Sequence, residues 1–210
     1  MQPVTAAAWA ADGESFVTAS LDVESSLCHW SMRGQAIYMW PMDFRVQDCA
    51  ISADGRRLVA VDTDGKIHVY NMHTHEEEYC LPMRSKPTSV AVSRDSRHML
   101  VNLAEGEIQL INIDTTEVVR RFQGQKQGSF VIRSNFGGAA ENFIVSGSEG
   151  QFSLIASCPN SNADNLFRCL HLCVAQRKRK TCREHGRAHF WLCECDILEP
   201  YESWDVCISR

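Results

Sequence analysis

Three groups of residues combine types that could do chemistry. The first is Cys182-x-x-His185-x-x-x-His189, followed by Cys193-x-Cys195. Thiolate and imidazole suit tetrahedral zinc, so a zinc-binding module is one reading of this segment. The spacing fits no standard finger, and ligand types without spacing are weak evidence. The second group is Asp62, Asp64 and His68, a set that could serve acid–base chemistry or hold a metal. The third is Arg177-Lys-Arg-Lys180, readable as a nuclear address or a nucleic-acid patch, although such runs are commonly just solvated. No glycine-rich phosphate loop, nucleophile elbow or triad order is present, and Gly137-Gly138 leads into no helical pattern. The expectation is therefore a non-enzymatic protein with no catalytic residue, cofactor, metal or small-molecule substrate.

The elements that would position these residues come from a repeat. Val4–Gly13 reads VTAAAWAADG, Val46–Gly55 reads VQDCAISADG and Pro87–Ser96 reads PTSVAVSRDS. Their turns begin at Asp12, Asp54 and Asp95, spaced 42 and 41 residues apart. Fixed-period similarity on this scale marks a repeat architecture. After each turn comes an apolar stretch, at Phe16–Ala19, Leu58–Val61 and Met99–Leu103. A polar turn follows, at Asp22–Ser25, Asp62–Gly65 and Ala104–Gly106. An alternating strand then ends in a bulky residue, over Leu27–Trp30, Lys66–Tyr70 and Glu107–Ile111. A last strand closes each unit, at Ala36–Trp40, Glu77–Leu81 and Glu117–Phe122. Asp-Gly and Asp-Ser are natural hairpin connections, and period-two alternation gives each strand two faces. A fourth unit begins at Phe130–Phe136, continues in Phe143–Ser146 and breaks off at Gly150. In this frame Asp62 and Asp64 fall in a hairpin turn, and His68 is a face residue of a strand. Glu76-Glu77-Glu78 reads as a solvated sheet edge, where charge discourages strand-to-strand association.

Composition divides the chain in two. Residues 1–150 hold three of the ten cysteines, with 13 basic against 19 acidic residues; residues 151–210 hold seven, with 8 against 7. The formal charge of −5 argues against general binding to nucleic acid or to a membrane surface. No apolar run reaches the roughly 20 residues of a membrane span, and Met1-Gln-Pro-Val-Thr5 carries no charged n-region with an apolar core behind it, so no secretory signal and a cytoplasmic location are expected, with the nucleus a second.

Four strands per unit and a period near 41 residues resemble the WD-repeat β-propeller. The repeats are degenerate. The Trp-Asp position reads Trp30-Ser31, Tyr70-Asn71 and Ile111-Asn112, and the usual blade network survives in part through Thr18, Asp22 and Trp30. Phe122-Gln-Gly-Gln-Lys-Gln-Gly-Ser-Phe130-Val-Ile-Arg-Ser-Asn-Phe136-Gly-Gly138, with Phe143-Ile-Val-Ser-Gly-Ser-Glu149, is more specific. It resembles the WD repeat-containing protein 26 family, the WD-repeat subunit of the GID/CTLH ubiquitin ligase. Met99–Leu103 and Phe44–Gln47 fit the same family, over roughly residues 3–149. The resemblance implies an all-β fold, an incomplete propeller of about three and a half four-stranded blades over 1–150. It also implies a scaffold or substrate-recruiting subunit in proteasomal protein degradation, with other ligase subunits and protein substrates as partners. A WD-repeat scaffold unconnected with ubiquitin ligation is the alternative. On the propeller plan, the loops entering each unit share a face with the loops between its second and third strands. Arg45, Asp62, Asp64, Arg84, Lys86, Gln125 and Lys126 are the expected partner contacts there. The helical dimerisation and assembly segments of the family, and its remaining blades, are not in these 210 residues.

Residues 151–210 show neither repeat nor period and are expected to be irregular, with no genuine domain. In the family the Ser-Gly-Ser-Glu run leads into Asp, a strand and Val-Trp-His; here it leads into Gly150-Gln151-Phe152. A retained intron running from the Gly150 codon into the Arg168 codon would shift the frame by one base. Codons permitted for Arg168 onward, shifted back, allow Asp-Ala-Ser-Ile-Tyr-Val-Trp-His and then Glu-Gly-His-Ile-Ser-Gly, as a propeller requires. The segment thus reads as an out-of-frame tail, to be kept out of fold reasoning.

Overall fold

The structure is a computed structural model, and it describes residues 3–138, 140–149 and the backbone of 154–157. Fifteen strands form four antiparallel sheets among these residues, each built from strands consecutive in the chain. The first sheet holds β1 (Val4–Trp9), β2 (Ser15–Ser20), β3 (Leu27–Ser31) and β4 (Ala36–Met39). The second holds β5 (Val46–Ile51), β6 (Arg57–Asp62), β7 (Lys66–Asn71) and β8 (Glu77–Pro82). The third holds β9 (Pro87–Val92), β10 (His98–Leu103), β11 (Glu107–Asn112) and β12 (Val118–Gln123). The fourth holds β13 (Ser134–Gly137), β14 (Phe143–Ser146) and β15 (Leu154–Ser157). No helix among the described residues is long and apolar enough to cross a membrane.

The repeat extends to the backbone irregularities. Register shifts fall at Val4/Ala6, Val46/Asp48 and Asn102/Leu103 between first and second strands, and at His29/Trp30, Val69/Tyr70 and Leu110/Ile111 between third and fourth. Bulges at matching positions add twist and redirect side chains in each unit alike. The turns repeat too. Gly13, Gly55 and Ser96 share one left-handed position, with φ of 70°, 71° and 60°. The preceding aspartates are held by neighbouring hydroxyls, Ser52 Oγ to Asp54 at 2.6 Å and Ser93 Oγ to Asp95 at 2.5 Å. At the degenerate Trp-Asp position, Asn71 Oδ1 accepts from His73 and Thr74 amides, and Asn112 Oδ1 from Asp114 and Thr115. Asparagine thus closes the third turn as an Asx turn. The blade network is one bond, Trp30 Nε1 donating to Thr18 Oγ1 at 2.8 Å; Asp22 instead caps a 3-10 turn at Val23–Ser25.

The first strand of each sheet faces the next sheet's first strand: β1 packs on β5, β5 on β9 and β9 on β13. The core lies between sheets. Val17, Leu27, Trp40, Val46 and Leu58 fill the first interface; Val59, Ile67, Met99, Val101 and Ile111 fill the second. Trp40 Nε1 donates to His75 O at 3.1 Å across the first interface, and Arg57 bridges Glu78 (2.8 Å) and Asp114 (2.6 Å) across the second. Leu100, Ile108, Leu110, Phe122 and Ile144 join the third sheet to the fourth. The fourth unit's first strand starts at Ser134, not at Phe130 as the sequence suggests. Phe130 is 74% exposed, and its amide donates to Glu149 Oε1 at 2.8 Å, so a carboxylate rather than a neighbouring strand satisfies that stretch.

Candidate interaction face and a buried polar cluster

Antiparallel pairing brings the expected loops together. The start of β1, β5 and β9 pairs with the end of β2, β6 and β10, as in Val4 with Ser20, Val46 with Asp62 and Pro87 with Leu103. Backbone bonds tie the two loop sets: Thr63 N donates to Arg45 O (3.0 Å) and Ala104 N to Lys86 O (2.8 Å). The Lys126 loop is held likewise, its O accepting from Glu149 N at 2.9 Å and its N donating to Ser148 Oγ at 2.9 Å. Loops on a rigid sheet scaffold are where binding residues are commonly carried. Arg45, Asp64, Arg84, Lys86 and Lys126 are exposed at this end, with Asp43, Glu24 and Glu105 beside them, so its charge is mixed.

Two of the seven expected contacts are interior. Asp62 is 1% exposed and Gln125 6%. The strand ending at Asp62 turns its carboxylate inward, where Oδ1 accepts from the Asp64 amide (2.9 Å) and the Lys66 amide (2.7 Å). Asp64, two residues on, keeps its side chain outside, so the pair separates into one buried and one surface group.

The inward Asp62 belongs to a cluster on the second sheet. Its Oδ2 lies 3.1 Å from His68 Nε2, and His68 Nδ1 lies 2.9 Å from Glu77 Oε1. His68 is buried, with the Phe44 ring stacked on it at 4.2 Å and 11°. Cys80 is directly opposite His68 in the β7–β8 ladder. The His68, Glu77 and Cys80 ligand atoms all lie within 4.8 Å of one another. Partial burial of the Cys80 sulfur, then the Glu77 carboxylate, push its thiol pKa up; Lys66 opposes and Asp62 adds. The edge expected to be merely solvated thus carries two directed carboxylates, Glu77 toward His68 and Glu78 toward Arg57. Period-two alternation could have paired His68 with Cys80, but the bulge at Val69/Tyr70 that brings Glu77 to His68 leaves no mark in the sequence. The readings placed on Cys182, His185, His189, Cys193, Cys195 and Arg177–Lys180 lie outside the described residues.

Comparison with known proteins shows which family this repeat belongs to. No family model matches the chain. It is 35% identical over 153 residues to GID complex subunit 7 of Schizosaccharomyces pombe, covering 70% of this chain and 30% of that protein. It is 34% identical over 143 residues to a WD repeat-containing protein 26 homolog of Arabidopsis thaliana, covering 67% of this chain and 24% of that protein. The chain belongs to the WD repeat-containing protein 26 family. Among solved structures, U3-55K matches with a TM-score of 0.63 at 15% identity, over 75% of this chain and 49% of that one. The RRP9 WD40 repeats match with a TM-score of 0.62 at 15% identity, over 74% and 48%. At that identity the likeness concerns the fold, and the four sheets are blades of a WD-repeat propeller. This WD-repeat chain spans less than a third of the length of these curated relatives.

Proposed function

We propose that this WD-repeat chain acts as a non-enzymatic interaction scaffold in a ubiquitin-ligase assembly of the GID type, supporting proteasomal degradation of protein substrates. The observation that carries the reading is the match to GID complex subunit 7 over 70% of the chain. The loop end of the blades supports it. Arg45, Arg84, Lys86 and Lys126 are interspersed with Asp43, Asp64 and Glu105, which suits a protein partner better than a polyanion. Partners would be other ligase subunits and protein substrates, with no role for nucleic acid, membrane or small molecule. The catalytic chemistry would reside in RING-bearing subunits, and the expected place of action is the cytoplasm first and the nucleus second.

The test is co-purification of the protein, with its blades complete, with RING-bearing partner subunits. Reversing the charge of Arg84, Lys86 and Lys126 together should lower recovery at least about tenfold, since close interfacial charge pairs couple by 1.5 kcal/mol or more. Arg56→Glu, on an exposed turn at the other end of the second sheet, should leave recovery unchanged. Equal recovery with the triple reversal rules out this face as the binding surface.

A further inference from the structure

We propose that His68, Glu77 and Cys80 form a binding site for a zinc-class divalent transition metal on the outer two strands of the second blade. The three side chains offer an imidazole nitrogen, a carboxylate oxygen and a sulfur, all within 4.8 Å of one another. This donor set selects for borderline-soft ions such as zinc; calcium and magnesium prefer oxygen alone. Three protein donors leave a fourth tetrahedral position for water or an incoming ligand. Glu77 and Cys80 are exposed and His68 is buried behind them, so an ion can enter from solvent and meet a fixed nitrogen.

The second argument is the support behind the histidine. Ligating imidazoles commonly hold their other N–H on a carboxylate, which fixes the ring and raises its basicity. Asp62 Oδ2 occupies that place, 3.1 Å from Nε2. Asp62 is itself locked by the Asp64 and Lys66 amides, and Phe44 stacks on the ring. Nδ1 is therefore the nitrogen left to bind. Tetrahedral zinc with bonds near 2.0–2.1 Å places its nitrogen and oxygen donors about 3.3 Å apart. The Nδ1 to Oε1 separation is 2.9 Å, so Glu77 has to withdraw by a few tenths of an ångström. Its side chain is 41% exposed on β8, which allows that movement. The ion would take the position of the proton shared between Nδ1 and Glu77, and would displace the Cys80 thiol proton. Affinity should accordingly rise with pH.

Cobalt(II) titration of the full chain tests the site, since thiolate–cobalt charge transfer and tetrahedral d–d bands report a sulfur-bearing site directly. Cys80→Ser should remove one site's share of the near-ultraviolet absorption, and added zinc should bleach the same share. Asp62→Asn, which touches no metal, should weaken binding about tenfold or more while the bands keep their shape. Cys182→Ser, in the tail, should leave the Cys80-dependent share intact. Far-ultraviolet circular dichroism of each variant confirms that the strands persist; Glu77→Gln, on an exposed side chain, gives a second variant that should weaken binding if Asp62→Asn disturbs the sheet. Absorption unchanged by Cys80→Ser, or dependent wholly on Cys182, overturns the proposal.

Discussion

Glu107 shows how a single side chain can hold a strand pair. It opens β11 and accepts from Gln109 Nε2 (2.5 Å), Arg121 Nη1 (2.7 Å) and Gln123 Nε2 (3.0 Å), the last two from β12. The Gln109 bond holds its carboxyl below the usual range; burial opposes this, and Gln123 and Arg121 add to it. A depressed folded pKa means the unfolded chain binds more protons in acid, so the stabilisation is full above the unfolded value and is lost as pH falls through the folded one. Glu107→Gln should therefore lower urea stability at pH 7, with the difference shrinking below about pH 4.3. A difference that is constant from pH 7 to pH 3 would show that the carboxylate charge is irrelevant. Individual side chains were the least legible scale in the sequence. Asp62 and Asp64 look alike as turn residues, yet Asp62 ends β6 with its carboxylate turned inward onto the Asp64 and Lys66 amides, while Asp64 sits in the turn with its side chain outside. Glu77 reaches His68 only because of a bulge, and Gln125 is interior despite its loop position.

At the scale of elements, the turn after each first strand decides the register. Gly13 and Gly55 take a left-handed φ at little cost, whereas Ser96 takes it with a side chain in place. For a residue other than glycine that conformation costs roughly 1–2 kcal/mol. Ser96 offsets part of the cost through its Oγ, which accepts from the Asp54 amide at 3.0 Å and so joins the second blade's turn to the third's. Ser96→Ala loses that bond and keeps the strain, so it should destabilise by about 1 kcal/mol. Ser96→Gly loses the bond but relieves the strain, and should fall within about 0.5 kcal/mol of the parent. Denaturant midpoints of the two variants check this; a glycine variant weaker than the alanine one would show that strain is not the controlling term. Elements were the most legible scale, because the Asp-Gly turns and the alternation between them recur at fixed spacing. The expected Leu58–Val61 and Met99–Leu103 became Arg57–Asp62 and His98–Leu103, differing only at their ends. Phe130-Val131-Ile132 looks like a strand core in the sequence, but Phe130 and Val131 are exposed, only Ile132 is buried, and the Phe130 amide is held by Glu149, so the fourth unit's first strand begins later.

At the scale of the molecule, the four innermost strands meet through one polar hub. Asp48 on β5 is fully buried; its Oδ2 accepts from the Val90 amide on β9 at 3.1 Å. Arg133, just before β13, lies 3.0 Å from Asp48 Oδ1 and donates to Thr5 O on β1 at 3.3 Å. Burial pushes the Asp48 carboxyl up, and Arg133 and the Val90 and Cys49 amides pull it partly back. Arg133→Ala leaves a buried carboxylate without its cation. Arg133 is itself half exposed, so the loss should be smaller than for a sealed pair, about 1–3 kcal/mol at pH 7. With Asp48 raised in the folded state, the native protein binds more protons than the unfolded one, so the variant should regain stability as pH falls through that raised pKa. A deficit that stays level down to pH 4 would contradict this. Such links between blades cannot be read from a repeat pattern, which describes each unit and not how units meet. The family membership, by contrast, was carried by the run from Phe122 to Gly138 and by Phe143–Glu149.

The proposed place of these blades is in a scaffold of a multi-subunit ubiquitin ligase. The most direct measurement is quantitative mass spectrometry of the tagged protein, with its blades complete, purified from its own cells. Stoichiometric RING-bearing ubiquitin-ligase subunits, depleted by reversing Arg84, Lys86 and Lys126 but not by Arg56→Glu, are the expected result. A stable set of partners with no ubiquitin-ligase subunit among them would contradict it and leave a WD-repeat scaffold of another assembly.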